Sequence, residues 1–266
     1  MRFLLFTPLL LMLACNSESA RVGGTAIKIN PALVDTSGYT IESRFIPVKN
    51  FSRVAEKSGS FGAWLRKLPL KSISEPVRLF NGKIKTNNNI YVSVIDQDID
   101  PVDLQQCADA VMRLRAEWLF GQKRFTDIHF NFLSDGKPRY FTDFAKGDLS
   151  YKSFRKYMKH VFSYANTASL RDELMPVDRI SDIRPGDVFI QKASPFGHAV
   201  IVTDVIVNKD GAKKYLLSQS YMPAQETQVL INPTESAYSP WYSVSDKPVI
   251  TPEWQFEPHD LRRFRD

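Results

Sequence analysis

A thiol at Cys107 and an imidazole at His198 are the two side chains best placed to make a nucleophile and its base. A thiolate nucleophile needs a position that lowers its pKa, an imidazole to take its proton, and a polar group to orient that imidazole. Leu104, Cys107, Ala108, Val111, Leu114 and Trp118 recur at helical spacing, so Cys107 rides the apolar face of the longest helix. Asp103 with Gln106 three residues on reads as an N-cap of capping-box type, which sets Cys107 near the first turn, where unsatisfied N–H groups favour an anion. A start at Asp100-Pro101 instead sets it in the second turn, where the gain is smaller.

His198 opens a strand. Residues 183–207 read as a turn at Pro185-Gly186-Asp187, a strand, a short loop from 193 to 197, and a second, buried strand beginning at His198. His129 in an alternating strand, His160 in a basic helix and His259 in the tail lack that setting. The orienting group comes from the return strand. With Asp210-Gly211 as a two-residue turn, Gln219 falls on the face of His198, whereas a register one residue away presents Ser218. Gln106, beside the thiol, is a candidate oxyanion-hole donor together with the Cys107 N–H.

Taken together, Gln106-Cys107 on a helix, Gly186 to Ile190 (GDVFI), Gly197 to Val202 (GHAVIV) and a polar residue about twenty positions on resemble the papain-like cysteine amidases and endopeptidases of cell walls, of the NlpC and CHAP types. The resemblance covers about 103–231. It implies Cys107 as nucleophile, His198 as base and Gln219 as its orienter, and amide hydrolysis in peptidoglycan peptides without metal or cofactor. Two features depart from those families: Gln106 stands where an Asp or similar residue usually precedes the cysteine, and the spacing from Cys107 to His198 is longer than in compact members. Over nearly its full mature length the chain also resembles a family of bacterial lipoproteins described as a domain of unknown function. That likeness rests on GAWLRKLPL from Gly62, DLQQCADAVMRLRAEWL from Asp103 and QSYMPAQE from Gln219, and it implies no activity.

The elements that must hold these residues are mixed. A strand is expected over 41–48, a short helix over 59–68, a hairpin over 76–85 turning at Asn81-Gly82, a strand over 90–95, the Cys107 helix, a strand over 128–132 and a helix over 150–164. Four strands follow, at 188–191, 198–207, 215–221 and 227–231. The fold expected is α+β: an antiparallel sheet, with a barrel-like variant open, a packed helix carrying Cys107, and a papain-like core. One domain over 38–266 is the economical reading, with Trp241, Tyr242 and Trp254 in a tail that wraps the sheet or lines a groove.

Residues 1–14 have a positive start at Arg2 and an apolar run ending in Ala14, the pattern of a secretory leader. Met12-Leu13-Ala14-Cys15 resembles a bacterial lipobox, which implies lipidation at Cys15, a tether over 15–37 and, with Asn16 following, an outer-membrane anchor. Cys107 is then the one thiol left without lipid. The formal charge of +6 falls to near +5 when Arg2 leaves. Its scattered Lys and Arg suit an anionic envelope and, with no basic aromatic stripe, argue against nucleic acid. Asp96, Asp98, Asp100 and Asp103 do not make a calcium loop, because Pro101 and Cys107 stand where Gly and Glu are required. Motifs for zinc, a P-loop or a dinucleotide fold are absent from the sequence. Two functions remain: a cysteine amidase or endopeptidase of the envelope, or a non-catalytic lipoprotein that binds wall fragments or a protein partner.

Overall fold

A computed structural model of the chain describes residues 29–265. The expected leader, the expected lipidation site Cys15 and the first part of the expected tether lie outside the described residues. The rest of that tether does not behave as one. Leu33 is buried in the core and Asn30 donates to the Ala237 carbonyl at 2.8 Å, so packing begins earlier than the boundary expected at 38.

The expected strand at 41–48 is a helical turn, α1 (Ile41–Arg44). Thr40 Oγ1 accepts the Ser43 N–H at 3.2 Å and Ser43 Oγ accepts the Thr40 N–H at 2.9 Å. This reciprocal cap lets Ile41 and Phe45, four apart, bury on one side. After β1 (Phe51–Arg53), α2 (Phe61–Arg66) forms where a helix was expected, capped by Ser60. The expected hairpin at 76–85 keeps its turn at Gly82, with φ +79°, but forms only one isolated bridge, Arg78 to Ile84. β2 (Tyr91–Val94) then leads to α3 (Cys107–Gly121).

β3 (His129–Asn131) and β4 (Pro138–Tyr140) make a small hairpin. α4 (Phe141–Ala145), α5 (Tyr151–Tyr164) and α6 (Thr167–Glu173) follow, α5 turning Phe154, Tyr157, Met158 and Val161 inward. The sheet is completed by β5 (Met175–Pro176), β6 (Val188–Gln191), β7 (His198–Asn208), β8 (Lys213–Gln219), β9 (Gln228–Leu230) and β10 (Tyr242–Ser243). β11 (Val249–Ile250) and β12 (Gln255–Phe256) pair with each other, and β13 (Leu261–Arg263) returns to the main sheet.

The main sheet runs β2-β9-β8-β7-β6-β13-β5, with β1 on β7 and β10 on β8, and its paired strands are antiparallel. The class is therefore α+β as expected, but among the described residues the sheet stays open and no barrel closes. One face, through Val188, Ile190, Ala199 and Ile201, packs with Val111, Met112 and Leu114 of α3. The other, through Phe189, Val200, Val202 and Leu217, is covered by the tail residues Tyr242, Val249 and Phe256.

The β7–β8 register is the detail on which the site turns. The connection is longer than the two-residue turn expected, since the Asn208 N–H donates to the Ala212 carbonyl and Val207 pairs with Lys213. Continued unbroken, that register would set Ser218 opposite Val202, on the face of His198. A bulge at Thr203 shifts it, so that Ile201 opposes Ser218 and Gln219 comes onto the His198 face. Asp204, next to the bulge, anchors it. It is fully buried and accepts from Arg53 at 2.7 Å, Arg66 at 2.6 Å and its neighbour's Val205 N–H at 2.9 Å.

Breaking a buried charge cluster leaves uncompensated charge, whereas an exposed pair is worth little. Asp204→Ala is expected to cost about 3–5 kcal/mol, and Arg179→Ala, which breaks the exposed pair with Asp182, under about 0.5 kcal/mol. Urea unfolding curves on the two variants check this, and equal midpoints would contradict it.

Candidate active site

Cys107 is the first residue of α3 and Gln106 its N-cap, so both expected helix starts lie too early. The reason is Asp103. Its Oδ1 is taken by the Ala224 N–H at 2.6 Å and by Gln106 Nε2 at 3.1 Å, which pins the entry to α3 against the loop after β8 instead of capping a helix. The cap is made from inside: the Gln106 N–H donates to Asp109 Oδ2 at 3.0 Å.

His198 is the first residue of β7, buried among aromatic rings, with Tyr221, Trp254 and Phe256 centred 5.0, 5.3 and 5.9 Å away. Gln219, at the end of β8, meets it: His198 Nε2 and Gln219 Oε1 are 2.9 Å apart. Gln219 Nε2 in turn donates to Glu253 Oε2 at 2.7 Å, and Lys85 pairs with the same oxygen at 2.8 Å.

Cys107, His198, Gln106, Thr167, Tyr221 and Trp254 line one cleft of about 290 Å³. Exposed Phe196 and Met222 form part of its wall. Of the sequence-predicted site residues, Cys107, His198 and Gln106 therefore sit at this cleft, with Gln219 directly behind it. The thiol's hydrogen-bond partner is the Thr167 hydroxyl at 3.9 Å, and the Ala199 N–H, one residue beyond the histidine, is directed at the sulfur. The Gln106 amide, expected to serve an oxyanion, is engaged with Asp103.

The electrostatics differ from the sequence expectation. Burial pushes the Cys107 thiol above its ordinary range and the Asp109 carboxyl adds to that; the Ala199 N–H, the Thr167 hydroxyl and the Ala108 N–H oppose them without winning. The helix start was expected to lower this pKa, but desolvation outweighs the few N–H groups available. Burial also pulls His198 down to about 4, with Lys85 adding to the shift and the Gln219 bond opposing it. At neutral pH the site therefore holds a thiol and a neutral imidazole.

Sequence reading missed Thr167, Lys85, Glu253 and Asp109, and no spacing or motif marks them. Trp254 was foreseen as groove lining or core: it lines the cleft and donates from Nε1 to Gln191 Oε1 at 3.0 Å, whereas Trp241 and Tyr242 are core. Asp98 and Asp100 pair with Arg113 and Arg155 at 2.8 and 3.1 Å. Among the described residues no group of His, Cys, Asp and Glu is arranged to hold a metal ion, and no helix is long and apolar enough to cross a membrane.

A family model described as domain of unknown function 4846 matches residues 41–263, from α1 to β13, and so takes in every residue of the cleft. The chain belongs to the DUF4846 family. No curated protein and no solved structure matches it.

Asp109, buried behind the thiol, supplies a pH test. Burial raises its carboxyl from the usual range to about 8, so the folded protein holds a proton there that the unfolded chain has released. Its contribution to stability is complete below the unfolded carboxylate pKa and is lost as pH rises through about 8. Glu173, raised to about 7 mainly by burial, acts in the same direction. His198, depressed to about 4, acts oppositely, its contribution disappearing as pH falls from about 6.5 through 4. Asp109→Asn keeps an acceptor for the Gln106 N–H and removes the titration. Urea midpoints of wild type should fall from pH 6 to pH 9 and fall less in the variant. Parallel profiles would remove Asp109 from the account.

Proposed function

We propose that this DUF4846 protein is a cysteine hydrolase of the bacterial cell envelope, lipid-anchored through Cys15, that cleaves peptide amide bonds of peptidoglycan. The observation that carries the reading is the 2.9 Å pairing of His198 with Gln219 in the cleft that Cys107 opens from the first residue of α3. Orientation of an imidazole by a polar side chain beside a helix-start thiol is the arrangement that the NlpC- and CHAP-like sequence resemblance implies, and it suits a papain-like core.

With both groups neutral at rest, the chemistry is general-base catalysis within the attacking step. His198 takes the Cys107 proton as the sulfur attacks the amide carbonyl carbon. The resulting oxyanion falls near the Cys107 N–H and the Thr167 hydroxyl. Collapse breaks the C–N bond, and the leaving amine takes the proton from His198. Water, deprotonated by His198, then attacks the thioester, releasing a carboxylate and restoring the thiol.

A second reading has its own support. The raised thiol pKa and depressed imidazole pKa also suit a cleft that only binds wall fragments. Incubation of the protein with purified peptidoglycan separates the two. The hydrolase should release peptides with new amino termini, His198→Ala should lower the rate about 10²–10⁴-fold, the usual worth of a general base, and Cys107→Ser should abolish it. Retention on the insoluble wall without cleavage by wild type would replace the hydrolase with the binding reading.

A further inference from the structure

Behind the cleft, four side chains form a line in which each hydrogen-bond direction is forced by the one before it. Lys85 Nζ can only donate, and it does so to Glu253 Oε2 at 2.8 Å. The same oxygen lies 2.7 Å from the amide nitrogen of Gln219. A carboxylate of an ion pair has no proton to give, so the amide must turn its NH₂ end there. Its oxygen is then the end that faces His198 Nε2, 2.9 Å away. An amide oxygen only accepts, so Nε2 must carry the proton. A neutral imidazole has one proton, which leaves Nδ1 with a lone pair.

We infer that Glu253, whose oxygen Lys85 holds as an acceptor, is a positioning residue that, acting through Gln219, selects the Nε2–H tautomer of His198 and leaves Nδ1 as the base of the site. The purpose of this positioning rests on the hydrolase reading; the tautomer itself does not.

Burial makes the constraint effective. His198 and Gln219 are each 1% exposed and Lys85 is 6% exposed, so water is not at hand to satisfy a turned amide. Lys85 comes from the strap after the Gly82 turn and Glu253 from the tail between β11 and β12, and Asn87 of the same strap donates to the other Glu253 oxygen at 3.4 Å. The ammonium fixes Glu253 Oε2 by donating to it and, 5.1 Å from the Tyr221 ring centre, lies close enough to disfavour an imidazolium.

The test is the ¹⁵N long-range spectrum of the histidine rings of the whole protein at pH 7, with His198 assigned by its loss in His198→Ala. Wild type should show the Nε2–H tautomer. Glu253→Gln keeps a carbonyl oxygen that can accept from both Lys85 and Gln219, so the same tautomer is expected although the charge is gone. Lys85→Met with Glu253→Ala removes the acceptor and the buried cation together. The amide is then free to turn, an Nδ1–H population should appear, and acylation of Cys107 by p-nitrophenyl acetate should fall by about 10–10⁴-fold, the upper bound being the cost of a base held in the wrong tautomer.

An Nδ1–H wild type, an Nδ1–H Glu253→Gln variant, or an unchanged tautomer in the double variant would each overturn the inference. The first two readings stand even if the double variant fails to fold. A wild-type protein with Nε2–H but an inert thiol would instead sink the hydrolase reading and leave the relay intact.

Discussion

The site depends on one irregularity in the sheet, the bulge at Thr203. β7 and β8 are antiparallel, and side chains alternate faces along each, so a shift of one residue exchanges every partner across the pair. The connection after Asn208 sets a register that, unbroken, would put Ser218 opposite Val202 and on the face of His198. The bulge shifts the pairing by one, so Ser218 goes to the other face, where its Oγ lies 3.3 Å from Thr203 Oγ1. Gln219 comes onto the face of His198 in consequence. The cost of the irregularity is met locally by Asp204, whose two arginine partners tie β7 to β1 and α2. Stability and the geometry of the candidate site are thus joined in a few residues of one hairpin.

A second constraint is desolvation. The cleft lies where α3, on one face of the sheet, meets the end of β7, and the His198 ring lies on the opposite face beneath the tail. Such burial penalises the charged forms of both the Cys107 thiol and the His198 imidazole. Three hydrogen-bond donors around the sulfur do not offset it. Both groups are therefore held neutral, and in the proposed hydrolase proton transfer would accompany attack on the substrate, with no preformed ion pair. Burial likewise keeps the Asp109 carboxyl neutral up to about pH 8, and its charge above that pH would oppose a thiolate at Cys107.

Much of this was legible in the sequence where a local signal exists. The apolar spacing along α3, the turn before β6 and the buried run from His198 marked the helix, the sheet and two of the side chains that line one cleft. Gln219 followed from parity, although by a shorter turn and no bulge, two errors that cancel. The signals failed where tertiary contacts override local ones. Ile41 and Phe45 suit a strand until Thr40 and Ser43 cap them into a turn, and Asp103 resembles a cap until the Ala224 N–H claims it. Lys85, Thr167 and Glu253 reach the site from segments far apart in the chain, and nothing in their neighbourhoods announces a partner. The pKa directions were illegible for the same reason, since burial is a property of the assembled fold.

The central claim, that Cys107 is an acyl-accepting nucleophile served by His198, is tested most directly by intact-mass and peptide mapping of the folded protein after brief exposure to p-nitrophenyl acetate. A single acetyl group on Cys107, formed and then discharged by wild type and absent or much slower to form in His198→Ala, is the result predicted. Acetylation of Cys107 that appears only in denaturant, or that proceeds equally fast without the histidine, would contradict it and leave the thiol as part of the core.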